Sequence, residues 1–194
     1  TLALILGLLV LGAGLYVGRM LMVPSPVVPA SADARVFSAE RAMPILQRLV
    51  GDGLPHTVDT AAGDAMRQRV VAEFEALGYE VELQTAWGCR EQYAVCANTT
   101  NVLARFQGSG SGPALMLSAH YDSAIAGPGV SDDLVAVASI IEVARMLVSE
   151  LPSGDIVTDS NWPRNDVLFV ITDGEEVGLT GAEAFQEHPW FAEV

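Results

Sequence analysis

The chain contains no lysine. Ten arginines carry all of its fixed positive charge against 24 acidic residues, so the formal net charge is −14 over 194 residues. Phosphate backbones are bound by clustered cations, so this balance argues against nucleic acid as a partner. Cysteine is nearly absent as well, with two residues, Cys89 and Cys96, both in "GCREQYAVCAN". Their spacing is not Cys-x2-Cys and no second Cys or His pair lies nearby, which sets aside a cysteine zinc site. A disulfide closing this loop-like stretch, or two unrelated thiols, remain. Charge itself is missing from the first eighteen residues, "TLALILGLLVLGAGLYVG", before Arg19. No internal repeat is evident.

The uncharged run is about long enough to span a bilayer at ~1.5 Å of rise per residue, and it lacks the polar face of a soluble helix. One reading is a retained anchor over residues 1–23. The other is a signal peptide cut at Ala30-Ser31-Ala32. The run is long for a cleaved signal, and fourteen residues separate Leu15 from Ala30, which favours the anchor. Either way the remainder is expected outside the cytoplasm: periplasmic, extracellular or lumenal. "VPSPVVPASAD" then reads as an extended Pro-rich linker, within residues 24–37.

From residue 38 onward the pattern alternates. Ser38 is placed to cap a helix running to about 50, with Glu40 in its first turn. Met66, Val70, Phe74 and Leu77 recur at helical spacing over about 60–77, and Gly78 supplies a stop. "YEVELQTA" and "NVLARFQG" alternate as strands. "ALMLSAH" and "DVLFVIT" are continuously apolar, as strands buried on both faces are. "SDDLVAVASIIEVARMLVSE" reads as a helix, "LPSGDIVTDSNWPRN" as a loop, and "TGAEAFQEH" as the start of another helix. The expected fold class is α/β, with a mixed, largely parallel central sheet flanked by helices.

In such sheets ligands collect at the carboxyl ends of the strands. His120 directly follows one buried strand and "DGEE" directly follows the other, so two acid-rich loops are expected at one sheet edge. His120 and Asp122 are two apart, so on an extended segment their side chains point the same way. The imidazole can then bind a metal while the carboxylate approaches its other nitrogen, fixing the tautomer. Asp132 is expected at a helix start, where an anion is favoured, with oxygens enough to bridge two cations. Glu175 and Glu176 are adjacent, so their side chains diverge. One can ligate a metal while the other faces substrate as a base. Taken singly, each element has a plain structural reading: a satisfied histidine, a solvated Glu pair, a helix cap. Their convergence on one edge is what points to a site. His56 and His188 have no such setting and read as structural or surface residues.

The motifs "SAHYDS" (118–123), "GPGVSDD" (127–133) and "ITDGEEVGLTGAEAF" (171–185) resemble the aminopeptidase Y type of dizinc metallopeptidases. The resemblance covers about residues 38–194. It is strongest to the membrane-anchored branch that includes the endoplasmic reticulum metallopeptidase and the vacuolar membrane protease. It implies a zinc-dependent exopeptidase fold and hydrolysis of peptide bonds by a metal-activated water, usually at a free amino terminus. It further implies two zinc ions, with His120 a ligand of one, Asp122 supporting His120, Asp132 bridging, Glu175 the general base and Glu176 a ligand of the other zinc. Leu134-Val135-Ala136 stand where the family usually has small residues, so a tighter helix start is expected. The family site also takes an acidic residue and a histidine from farther along than Val194. Residues 38–194 are therefore expected to be the front of a catalytic domain, truncated at the C-terminus and inactive alone. A non-catalytic homologue used for binding, and an enzyme that cyclises N-terminal glutamine or acts on another small molecule, are the competing readings.

The anchor reading is tested directly. Membrane fractions washed with carbonate are expected to retain the mature protein; recovery of a soluble form starting at Asp33 would show a cleaved signal instead.

Overall fold

A computed structural model describes residues 2–149 and 163–194. The two continuous apolar runs lie side by side in one four-stranded sheet of order β1-β2-β4-β3. They are β3 (Leu115–His120) and β4 (Val167–Thr172), paired in parallel with His120 opposite Thr172. Both strands therefore end at the same edge. Every residue of β4 is buried, which is why its sequence shows no alternation.

The other two pairings are antiparallel: β1 (Val81–Arg90) with β2 (Val95–Phe106), and β2 with β4. The sheet is thus mixed, and its parallel part is the β3–β4 pair. The reason is local. β1 and β2 are joined by a single short turn at Glu91–Tyr93, too short for the crossover that a parallel pair needs. "GCREQYAVCAN", expected as loop-like, is instead the tip of this hairpin, where Cys89 and Cys96 are directly opposed and bonded to each other. The alternation there is obscured by Gly88, Arg90 and the polar turn residues.

Helices cover the sheet. α2 (Ala39–Val50) starts at Ser38, whose hydroxyl accepts from the Arg41 N–H, and buries Ala42, Ile45, Leu46 and Leu49. α3 (Ala61–Ala76) starts at Thr60, capped in the same way through Gly63, and buries Met66, Val70 and Phe74. Phe74 meets Phe169 of β4 and Tyr79 at ring-centroid distances of 5.6 and 6.0 Å. α4 (Val135–Val148) crosses beneath the sheet, and α5 (Thr180–Gln186) follows β4. The helix expected from Ser131 begins later, because Asp132 and Asp133 have non-helical backbones. The larger residues at its start are accommodated: Leu134 is buried in the core and Val135 faces outward. Most of the stretch expected as a loop over 151–165 lies outside the described residues.

At the N-terminus, α1 (Leu2–Met22) is the one described helix long and apolar enough to cross a membrane, and none of it is buried. The segment after it is tied to the rest. Ser38 Oγ donates to the Val28 carbonyl at 2.8 Å, and Arg41 donates to the carbonyls of Ala30, Ala32, Asp33 and Val36. Arg145 donates to that of Ala34. Both arginines also pair with Glu142 on α4, at 2.9 and 2.7 Å, and Glu142 is fully buried. Burial alone would raise the Glu142 pKa. Hydrogen bonds and charge from Arg145 and Arg41 overcome it and hold the carboxyl below its ordinary value.

That depression makes a stabilising contribution that is present above the unfolded-state pKa and lost as pH falls through the lower folded value. Glu142→Gln removes one partner of a buried pair and is expected to cost about 3 kcal/mol at neutral pH. Urea unfolding at pH 7 and at pH 3 checks this: the gap between wild type and variant should narrow in acid. An equal gap at both pH values would contradict it.

Candidate metal and hydrolytic site

The parallel register of β3 and β4 brings two loops to the same edge, and one carboxylate joins them. Asp122 is 1% exposed. A charge buried that deeply requires donors. Its Oδ1 accepts the Glu175 N–H at 3.0 Å and its Oδ2 accepts the Glu176 N–H at 3.1 Å. Oδ1 also lies 3.3 Å from His120 Nδ1, which is 3.1 Å from the Asp122 carbonyl. These contacts are those of a proton on Nδ1. They leave Nε2 turned toward the open side.

His120 Nε2 lies 3.1 Å from Asp132 Oδ1 and 3.9 Å from Glu175 Oε2. Of the Glu pair, then, Glu175 turns its carboxylate toward the imidazole, whereas Glu176 is tied in through its backbone. Asp132 was expected in the first turn of a helix. It stands three residues ahead of α4 with φ −141° and ψ 85°, so the helix dipole gives it little, because that effect falls off within the first turn. The turn through Gly127, Pro128 and Gly129, with Gly129 at φ 57°, delivers it to His120 instead.

Electrostatics at this edge favour positive charge. Burial alone would lower the His120 pKa. Hydrogen bonding and charge from Asp122, then Asp132 and Glu175, override burial and raise it to about 9. Glu175 is raised from the ordinary glutamate value by burial, with the charges of Asp122, Glu176 and Asp132 adding and His120 opposing. Surroundings that hold a proton on an imidazole this firmly would equally favour a cation in its place.

The donor chemistry suits zinc in kind: one imidazole with a carboxylate behind it, and further carboxylates. In number it is incomplete. Among the described residues no group of three or more His, Cys, Asp or Glu side chains is gathered closely enough to hold a metal ion. His120 and Asp132 come together, Glu175 stands beside them, and Glu176 lines an adjoining cavity.

Several supporting residues were not legible in advance. Asp173 is buried between the strands and accepts the N–H groups of Thr100 and Gly174, both at 3.0 Å. Burial, with the charge of Asp122, raises its pKa to about 6. Asn101 Oδ1 accepts the Asp173 N–H and its Nδ2 donates to the Gly181 carbonyl. Close packing here demands glycine: a Cβ on Gly181 would lie 2.2 Å from the Asp173 carbonyl oxygen. His56, read from the sequence as a structural or surface residue, lies closer to the site than expected. It is buried, and its backbone N–H donates to Ser123 Oγ at 2.9 Å on the loop leading to Asp132. Position directly after a buried strand was the available signal for Asp173; Asn101 and His56 offered none.

Comparison with known proteins bears on family and fold. Residues 101–194 match the model of Peptidase family M28. The vacuolar membrane protease of Candida albicans (strain WO-1) is 35% identical over 146 residues, covering 72% of this chain and 16% of that protein. That of Eremothecium gossypii is 38% identical over 108 residues, covering 55% of this chain and 10% of the relative. The chain thus spans 16% or less of the length of these two curated relatives. Among solved structures, Porphyromonas gingivalis glutaminyl cyclase superposes with a TM-score of 0.64 at 24% identity, over 81% of this chain and 55% of that one. A Zn-dependent exopeptidase from Parabacteroides distasonis gives 0.60 at 18% identity, over 79% and 56%. These likenesses show the fold, that of zinc-dependent exopeptidases.

Proposed function

We propose that this chain, a homologue of vacuolar membrane proteases with a Peptidase family M28 segment over residues 101–194, is the N-terminal part of a membrane-anchored zinc aminopeptidase. One observation carries the reading. The buried Asp122 carboxylate holds His120 by its Nδ1 side and both Glu175 and Glu176 by their amides, so that metal-binding and proton-accepting groups share one rigid edge. Residues 1–23 would be the anchor, 24–37 the connection and 38–194 the front of the catalytic domain, on the extracytoplasmic side. Peptide or protein chains with a free amino terminus would be the substrates.

His120, Asp132 and Glu176 would hold zinc, two ions in the complete domain, with Asp132 between them. Zinc, when bound, supplies Lewis acidity that brings water into the range where it loses a proton near neutral pH. Everything else is work for the chain. Asp122 keeps the His120 proton on Nδ1, so Nε2 stays available. Glu175 accepts a proton from water and returns it to the leaving amine. Its raised pKa suits both directions of that transfer. The described residues gather too few ligands by themselves, so turnover is assigned to the full-length protein. Glutaminyl cyclisation shares the fold, but identity above 30% is to proteases. A binding-only homologue would be expected to lack one of these five residues, and all five stand here.

In the full-length protein, Glu175→Gln is expected to keep its zinc while turnover falls about 100-fold or more. Near-normal hydrolysis with zinc bound would remove Glu175 from the role. Asp132→Ala is expected to lose both ions together by elemental analysis; one ion retained at full occupancy would rule out the bridge.

A further inference from the structure

Cys89–Cys96 and Glu175–Glu176 are far apart in sequence, yet one side chain joins them. Arg90 is the last residue of β1 and the immediate neighbour of Cys89. Its Nε donates to the Gly178 carbonyl, its Nη2 to that of Leu179, and its Nη1 to the Glu183 carboxylate on α5. Arg90 therefore grips the far arm of the turn that carries Glu175 and Glu176, together with the helix that follows it.

That turn has hydrogen bonds of its own, from the N–H groups of Gly178 and Leu179 to the Glu175 carbonyl, but its backbone is strained. Gly174, Gly178 and Leu179 all lie in the left-handed region, at φ 67°, 101° and 65°. For Leu179, which has a Cβ, the conformation costs about 1 kcal/mol or more and persists only where surroundings enforce it. A guanidinium offers a flat fork of donors that can meet two carbonyls and a carboxylate at once; an ammonium cannot hold that geometry. The other end of the grip must also be fixed. Ends of two-stranded ribbons fray, and the bond between Cys89 and Cys96, directly opposed across the ribbon, prevents that beside Arg90. Hairpin and turn also touch directly, since a Cβ on Gly88 would come within 3.2 Å of the Thr180 side chain. Between them lies a cavity of about 600 Å³ lined in part by Arg90, Gln92, Val95, Glu175 and Glu176.

We propose that Arg90, kept in place by the Cys89–Cys96 disulfide, is a positioning residue for the Glu175–Glu176 pair. This rests on the reading of that pair as catalytic, and its test separates the two. Full-length wild type, Arg90→Met, Arg90→Lys and the double variant Cys89→Ser/Cys96→Ser are compared by amide hydrogen exchange after zinc is stripped, and by steady-state hydrolysis after it is restored. Exchange over residues 174–181 is expected to rise on the order of tenfold in Arg90→Met, with β3 and β4 unchanged, as for a local opening. The turnover number should fall on the order of tenfold or more, with a smaller change in KM, because the base is misplaced rather than substrate binding lost. Arg90→Lys should recover only part of either effect. The double variant should show the same local loosening in milder form, and it decides the matter if Arg90→Met does not fold. Unchanged exchange over 174–181, a rise spread equally over the whole domain, or local loosening with wild-type turnover would each overturn the proposal. If Glu175→Gln proves active, the catalytic reading fails while the exchange result still reports on Arg90.

Discussion

A carboxylate shut away from water at the junction of two loops is the constraint on which this edge of the protein turns. Asp122 has almost no solvent contact, so its charge must be met by donors from the protein. The available donors are the N–H groups of Glu175 and Glu176, from the loop after β4, and Nδ1 of its own near neighbour His120. Meeting that demand locks the loop after β3 to the loop after β4. It also sets the tautomer of the imidazole and the start of the turn that carries the Glu pair. The sheet makes the arrangement available because β3 and β4 are parallel and end together.

Around this junction the chain accumulates negative charge and then has to manage it. Asp132 and Glu175 face the imidazole, and burial, with the charge of Asp122 adding to it, raises the pKa of Asp173. The proton on His120 is held unusually firmly for the same reason. Elsewhere the few cations act as clamps. Arg41 and Arg145 bind the segment after the apolar helix to a buried glutamate, and Arg90 binds the hairpin to the turn after the Glu pair. With no lysine in the chain, each of these is an arginine, whose planar fork can serve several acceptors at once.

Much of this was legible in the residues, and what was not has physical causes. "ALMLSAH" and "DVLFVIT" announce buried strands because both faces are covered, and Ser38 marks a helix start through its capping hydroxyl. Placing His120 and "DGEE" after those strands was enough to bring them to one edge. The hairpin tip was hidden because a short turn and a disulfide stabilise strands whose residues carry no clear alternation. Asp132 looked like a helix cap because Asp-Asp before an apolar run usually is one. Here the turn at Gly129 and the pull toward His120 leave its backbone extended. The strap over residues 28–36 could not be read at all. It depends on Arg145 and Glu142, more than a hundred residues away in sequence from the segment they hold.

The central claim is that Asp122 organises the cation site by accepting from both loops at once. Asp122→Asn tests it most directly, because an amide keeps the size but has one acceptor oxygen where two are used. The measurement is the zinc dissociation constant of the full-length protein and of this variant, by competition with a chelator of known affinity. The account predicts weaker binding by about 10- to 100-fold, the usual cost of losing a partner behind a metal-binding histidine. Zinc affinity within about twofold of wild type, in a variant that folds, would contradict it.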